Sequence, residues 1–492
     1  MQLAALIDGI AGLSFAGGGD RPALEIAGLA SDSRNVGPGF LFAALKGARA
    51  DGTAFVGEAR RRGALAVLTG PGVALDPELV HLVADEPRAA LARLAARFFG
   101  PGPRILAAVT GTNGKTSVAE FTRQIWRRLG RASASLGTIG LRSDAAVPCE
   151  VPPLTTLDPI VLHALLADLA GSGVSHLALE ASSHGLDQHR LDGLALRAAG
   201  ITNVTRDHLD YHRTLEAYLD AKLRLVRDLL PTDGTAVVNV DGAHADAFVA
   251  AARARKIVTL TVGRAGRDLA LAAAEPTGEG IAMRVVHEGR AHEVALPLIG
   301  AFQASNALVA AGLAIACGEA AEVAIASLAH LKGAPGRMQK VAAAPNGAAI
   351  FVDYAHTPDA LETVLLAARP HTRGRLHVVF GAGGDRDAGK RPLMGAVAAR
   401  LADAAIVTDD NPRGEEPAAI RAAILAAAPG AREIGDREAA IREAVKALAP
   451  GDLLVLAGKG HETGQIVGGE VRPFDDAQAV RAAVADLGGA HG

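Results

Sequence analysis

Short apolar runs alternate with stretches whose apolar residues recur every three or four positions, from about residue 104 to the end of the chain. The runs at 104–109, 176–180, 198–203 and 235–240 read as strands in the middle of the sequence. Those at 349–353, 376–381, 404–408 and 452–457 read as strands in its last third. Strands that alternate with helices imply parallel α/β sheets with helices on their faces. Directly after 104–109, Val118, Phe121, Ile125 and Leu129 give one apolar helix face. The first hundred residues carry a shorter mixed pattern, which predicts a small α/β domain. Pro101-Gly102-Pro103 is a natural linker, and Leu331–Gly336 precedes a new strand pattern. The resulting expectation is three α/β domains: 1–100, a central parallel-sheet domain over 101–332, and a Rossmann-like domain over 333–492. A length of 492 residues fits that number.

Composition narrows the class. Hydrophobic residues make up 49% but aromatics only 3%, so the cores must be built from Ala, Val, Leu and Ile. A net charge of −3 predicts no nucleic-acid partner and no basic membrane patch. Cys149 and Cys317 are the only cysteines, which argues against a disulfide framework or zinc site and fits a reducing compartment. The start, MQLAALIDGI, lacks a basic segment followed by a long apolar core, and no apolar run reaches ~18 residues. A soluble, monomeric, cytoplasmic protein with small-molecule substrates and no membrane insertion is expected.

The chemistry begins where the run 104–109 meets Gly111-Thr112-Asn113-Gly114-Lys115-Thr116-Ser117. A strand, a glycine turn and a helix N-terminus make an anion site, with backbone N–H groups and the helix dipole aimed at phosphate oxygens. Lys115 can reach the outer phosphates and the Thr116 hydroxyl can ligate Mg2+. ATP or GTP binding follows. The loop is tighter than the usual P-loop, because Val109 stands where its first glycine would be.

In open parallel sheets ligands collect beyond the carboxyl ends of the strands. Two middle strands run into EASSHGLDQHR (180–190) and NVTRDHLDYH (203–212), which puts Glu180 and His208 on the rim of the phosphate loop as Mg2+ ligands or outer-sphere partners. Four later strands end in DYAHTPD (353–359), GAGGDRD (381–387), DDNPR (409–413) and GKGHE (458–462). Arg386 and Arg413 can clamp carboxylates, and Glu462 can hold an ammonium. One rim suits a triphosphate with Mg2+ and the other a small zwitterion. Together they suggest ATP-driven ligation of an amino acid to a carboxylate.

These motifs, in this order along essentially the whole chain, resemble the Mur ligases, the ATP-dependent amide-forming enzymes of peptidoglycan precursor synthesis. SDSR (31–34) and FAALKGARADGTAF (42–55) look like the family's UDP-binding N-terminal domain. GTNGKT, SSHGLDQHR, TNVTRDHLDYH and AYLDAK look like its central ATPase domain. GRMQ, DYAHTPDAL, FGAGGDRDAGKRPLMG, DNPRGEEP and AGKGHE look like its C-terminal domain. The resemblance implies that ATP phosphorylates a D-glutamate side-chain carboxylate of UDP-MurNAc-L-Ala-D-Glu and that an amine then displaces phosphate. Lys115, His208 and Lys222 are the implied catalytic residues. Thr116, Glu180, His208 and Lys222, the last as a carbamate formed with CO2, are the implied Mg2+ ligands. Without the resemblance, Lys222 would read as a solvated helix lysine. ATP contacts are further implied at Asn306, Arg337 and Asp353, and UDP-muropeptide contacts at Ser33, Thr155, Thr156, Ser182, Gln188 and Arg190. The chain departs from its relatives at Leu154 and Gln303, where asparagine is common.

The amino acid follows from DNPR. Diaminopimelate carries a distal carboxylate that lysine lacks, and Arg413 can pair with it while Asn411 adds a hydrogen bond. Asp410, Pro412, Gly458, Glu462 and Arg386 complete the expected pocket, and meso-diaminopimelate is the expected substrate. Folylpolyglutamate synthase shares the central loop but needs neither SDSR nor DNPR. A P-loop switch or transport ATPase would leave the four charged strand ends without a use.

Overall fold

The structure, a computed structural model, describes residues 1–16, 23–47, 50–74, 76–147, 151–152 and 154–489. Cys149 and residues 48–49 of the 42–55 motif lie outside the described residues. The chain divides into two compact units, Met1–Thr261 with Gly312–Glu319, and Val262–Ala311 with Ala320–Gly492.

The first unit holds two sheets. The N-terminal one runs Leu13–Ala16, Val80–Ala84, Ala66–Thr69, Phe40–Ala43, Gly28–Ala30, antiparallel at its first pair and parallel beyond. The central one places Thr235–Asn239, Ala198–Ile201, Ile105–Thr110, His176–Glu180 and Ser133–Gly137 side by side and parallel, and closes with the antiparallel strand Gly140–Ser143. Its middle strands are buried on both faces, as helix-covered parallel strands must be. Ala107, Ala108, Val109, Ala198 and Ala199 are all fully inaccessible, so small side chains fill this aromatic-poor core.

The helix after the phosphate loop spans Lys115–Arg128 and buries Val118, Phe121 and Ile125 completely. Leu129 falls just past its end and is half-buried. The N-terminal helix Pro87–Phe99 packs on the central helix Pro159–Gly171. The same N-terminal helix also lies against the turn that holds Gly193, where a Cβ would be 3.0 Å from the Ala96 side chain and 3.2 Å from the Ala92 carbonyl.

In the second unit a six-stranded sheet runs Gln339–Ala343, Ala349–Asp353, Leu453–Ala457, Leu376–Phe380, Ala404–Val407, Arg432–Glu433. Its first pair is antiparallel and the others parallel. The same unit contains an antiparallel meander, Leu269–Pro276, Ile281–His287 and Arg290–Leu296, that the apolar-run pattern does not predict. Its strands cover one face only: along Ile281–Val285 buried and exposed residues alternate.

Candidate active site

In the first unit, Gly111 and Gly114 both take positive φ, +148 and +88. Gly111 also sits against its neighbours so closely that a Cβ would lie 1.8 Å from Thr202 Oγ1. The loop is held by the next strand end. The Asn203 carbonyl accepts from the Thr112 amide at 2.7 Å, Asn203 Oδ1 accepts from the Asn113 amide at 3.1 Å, and Thr202 Oγ1 donates to the Asn113 carbonyl at 2.6 Å. The helix therefore starts at Lys115 with its first amides facing the loop.

Glu180 ends its strand buried beneath the helix start. Thr116 Oγ1 donates to Glu180 Oε1 at 2.9 Å, and Thr138 donates to the same carboxylate through its amide (2.8 Å) and hydroxyl (3.2 Å). Thr138 is not among the expected site residues; it is the threonine of a plain Leu136-Gly137-Thr138 stretch.

Lys222 is fully buried near the loop and donates to the Gly111 carbonyl at 2.7 Å. Lys115 donates to the same carbonyl at 2.9 Å and to that of Thr112 at 2.8 Å. Burial, and then the neighbouring Lys115 charge, hold the Lys222 amine well below the ordinary lysine range. It lies 4.5 Å from the centre of the Tyr218 ring, whose hydroxyl meets Thr112 Oγ1 at 3.1 Å. The solvated-lysine alternative is thus excluded by the fold.

His208 stands close by in a left-handed conformation (φ +52) with its ring half-exposed. It makes an edge contact with His184 at 5.0 Å and approaches Tyr218 at 6.2 Å, but has no hydrogen bond to Thr116 or Glu180. Among the described residues no three His, Cys, Asp or Glu side chains cluster as a metal site. A single carboxylate beside a threonine hydroxyl fits Mg2+, which keeps waters and takes substrate phosphates as its other ligands.

Around the neighbouring cleft, Thr156 Oγ1 accepts from the Ser182 amide and hydroxyl, each at 3.0 Å, and Thr155 Oγ1 meets Thr138 Oγ1 at 2.9 Å. Arg190 donates to the Thr156 carbonyl at 2.7 Å and to Gln188 Oε1 at 2.7 Å. Arg190, Gln188, Leu154, Arg88 and Leu45 line a cavity of 190 Å3. Leu154 is 46% exposed and closes no hydrogen bond with its side chain, so the Asn-to-Leu departure leaves an apolar wall here. Ser33 is not among that cavity's lining; it is buried in the N-terminal domain, donating to Glu58 Oε2 at 2.9 Å.

In the second unit, the strand ends predicted to receive a zwitterion are tied to one another. The Gly384 amide donates to the Asn411 carbonyl at 2.9 Å, the Gly414 amide to Asp385 Oδ2 at 2.9 Å, and Arg391 pairs with Glu415 at 2.8 Å. A Cβ on Gly384 would lie 1.9 Å from the Pro412 carbonyl oxygen, so these loops can touch only through glycine. Arg413 has φ +54; its Nη1 donates to the Gly384 carbonyl at 2.9 Å and reaches the Asn411 carbonyl at 3.4 Å. Asn411 Nδ2 donates to Glu462 Oε2 at 2.8 Å. Asp410 Oδ2 is buried without a partner among the described residues, facing Gly458, where a Cβ would lie 2.3 Å away. Arg386 is exposed on its loop and hydrogen-bonds to none of the described residues.

Also in this unit, Asp353 is buried and accepts from the Met338 amide at 2.7 Å and the Ala355 amide at 2.8 Å; burial pushes its carboxyl up. Arg337 stacks over the Tyr354 ring at 4.9 Å. Asn306 donates to Gln303 Oε1 at 3.1 Å, so the departure at Gln303 supplies an acceptor for it.

Comparison with known proteins decides the family. Residues 25–99 match the model of the Mur ligase family catalytic domain, 109–314 the Mur ligase middle domain, and 336–460 the Mur ligase glutamate ligase domain. The chain belongs to the Mur ligase family. This Mur ligase is 55% identical over 467 residues to a Bradyrhizobium diazoefficiens protein named UDP-N-acetylmuramoyl-L-alanyl-D-glutamate–2,6-diaminopimelate ligase, covering 94% of this chain and 96% of the other. A Mesorhizobium japonicum protein of the same name is 54% identical over 463 residues, covering 94% and 95%. A solved structure of a ligase of that name superposes with a TM-score of 0.72 at 35% identity, over 96% of this chain and 98% of the other. Three domains of α/β architecture accompany that match, and the enzyme is a ligase.

Two residues of this Mur ligase escaped sequence reasoning although they lie inside quoted motifs. Tyr218 of AYLDAK braces Thr112, and Lys459 of GKGHE is wholly buried beside Asn411 and Glu462. A buried lysine and a surface lysine look alike in a loop sequence.

Proposed function

We propose that this Mur ligase joins 2,6-diaminopimelate, as the meso isomer, to the side-chain carboxylate of D-glutamate in UDP-N-acetylmuramoyl-L-alanyl-D-glutamate. ATP is cleaved to ADP and phosphate, and the enzyme acts in the cytoplasm as a monomer. The observation that carries the reading is the meeting of Arg413 and Glu462 on either side of Asn411, a cation and an anion touching one amide residue. That arrangement suits an amino-acid head, in a chain more than half identical to ligases named for this amino acid.

In this mechanism the D-glutamate carboxylate attacks the terminal phosphorus of ATP and ADP leaves. The diaminopimelate amine then attacks the acyl carbon, phosphate departs, and the amine proton is lost. Lys115 and the loop amides of residues 111–117 orient the phosphates and offset their charge, which is the main work in phosphoryl transfer. Thr116, Glu180 and His208 would hold Mg2+, which when bound neutralises charge between phosphate oxygens. Burial lowers the Lys222 amine well below the ordinary lysine range, which favours the neutral form that CO2 requires; attack on CO2 with loss of a proton would give a carbamate anion able to serve as a ligand for Mg2+. Thr155, Thr156, Ser182, Gln188 and Arg190 would hold the muropeptide along the cleft they border, with Ser33 near the uridine diphosphate.

A phosphate-release assay over an amino-acid panel tests the reading, with UDP-MurNAc-L-Ala-D-Glu, ATP and Mg2+ present throughout. Turnover should be strong only with diaminopimelate, best with the meso isomer, and at most weak with L-lysine. Equal turnover with L-lysine or L-glutamate, or release without any amino acid, would overturn it.

A further inference from the structure

Lys459 follows the strand Leu453–Ala457 and has a side chain that is 0% exposed. A buried ammonium is unfavourable unless its partners are well arranged. Its Nζ donates to Asn411 Oδ1 at 3.1 Å and to Glu462 Oε2 at 3.2 Å. Asn411 Oδ1 also accepts from the Ile466 amide at 3.0 Å. Both of those partners can only donate, so the amide oxygen must face them. The Asn411 nitrogen is thereby turned to Glu462 Oε2, at 2.8 Å. Glu462 Oε2 takes two donors, whereas Oε1 takes none from the described residues, and the side chain remains 32% exposed.

We propose that Lys459 is a positioning residue for the amino-acid substrate. It sets the orientation of the Asn411 amide and anchors one oxygen of Glu462, leaving the other directed at the ammonium of the incoming amino acid. This rests on the reading above that Asn411 and Glu462 belong to the amino-acid site. Lys459 itself does not touch substrate. Its contribution is preorganisation: without it, Asn411 can flip and Glu462 can turn away, and binding must then restore both.

The test is a comparison of Lys459→Met and Lys459→Gln with the wild-type enzyme. In Lys459→Met the diaminopimelate KM should rise roughly 10- to 100-fold, the range expected when a charged hydrogen-bonding partner is removed. The KM values for ATP and UDP-muropeptide, and kcat at saturating diaminopimelate, should stay within about 3-fold on the same argument. Lys459→Gln keeps one donor for Asn411 and should fall between the two, and it stands in if the methionine variant does not fold. Adding Lys459→Met to Glu462→Gln should raise KM by much less than it does alone, because both act through one carboxylate. An unchanged diaminopimelate KM, a parallel rise of all three KM values, or full additivity would overturn the proposal and leave a merely structural lysine. A wild-type enzyme that rejects diaminopimelate would instead overturn the functional reading on which it rests.

Discussion

Removing the Arg413 guanidinium should abolish the preference for diaminopimelate over lysine while sparing ATP binding. The left-handed backbone of Arg413 already carries a strain of about 1–2 kcal/mol, which alanine would retain without its side chain's hydrogen bonds. Arg413→Gly removes the side chain and keeps the conformation at no such cost. In the native enzyme Nη1 is already committed to the Gly384 and Asn411 carbonyls, so the guanidinium is held in place before a ligand arrives. Its remaining N–H groups take no acceptor from the described residues. Pairing a carboxylate with so prearranged a cation is worth about 3 kcal/mol, the upper end for a hydrogen bond to a charged group. That corresponds to roughly 150-fold in KM. Steady-state phosphate release should show the diaminopimelate KM rising by that factor in Arg413→Gly. The ATP KM should be unchanged, and so should the weak turnover with L-lysine, which has no distal carboxylate to lose. A diaminopimelate KM within about 3-fold of wild type, or an equal loss with lysine, would refute the assignment of Arg413 to that carboxylate.

Lys222→Ala should lose most activity and regain part of it with formate or acetate, and the wild-type enzyme in 13C-bicarbonate should show a carbamate NMR signal; full activity in the variant would remove the carbamate from the mechanism. Gly111→Ala should raise the ATP KM roughly tenfold or more, since its Cβ would fall 1.8 Å from Thr202 Oγ1 and the loop must deform; unchanged nucleotide kinetics would show the loop to be more yielding than this. His163 is buried and its imidazole is pushed down to about 4 by desolvation, so it stays neutral in the fold while the unfolded chain takes up a proton below about 6.5. Its contribution is therefore complete above about pH 6.5 and lost as pH falls through about 4, amounting to roughly 3 kcal/mol at pH 4. Urea unfolding of His163→Leu at pH 7 and pH 4 should show a smaller acid loss than wild type; equal losses would mean that other groups drive acid unfolding.

The parallel strands were legible because burial on both faces forces continuous apolar runs, and 176–180 and 349–353 coincide with the observed strands. The meander at 269–296 was not, since a one-faced strand such as Ile281–His287 mixes Arg284 and Ala282 among its core residues. Glu180 and Thr116 could be paired from the rule that ligands gather at strand ends, and they do bond. Thr138 and Lys459 could not, because each owes its role to a strand distant in sequence. The burial of Lys222 likewise depends on Tyr218 and the phosphate loop, more than a hundred residues apart, and nothing in AYLDAK announces it.

Arg413 and His208 share their left-handed backbone with Lys256 and Glu288, which are exposed and far from either rim in sequence. Lys256 follows the helix Ala245–Ala254 at the position where glycine normally ends a helix. The chain thus tolerates the same conformational penalty in two settings, at residues assigned to the proposed sites and at exposed residues with no proposed role. For anyone wishing to harden this enzyme against heat, Lys256→Gly and Glu288→Gly are the places to begin. Glycine at Arg413 or His208 would relieve the same backbone but remove a side chain on which the proposed function depends, so on that proposal a screen for thermal tolerance alone would select against catalysis there.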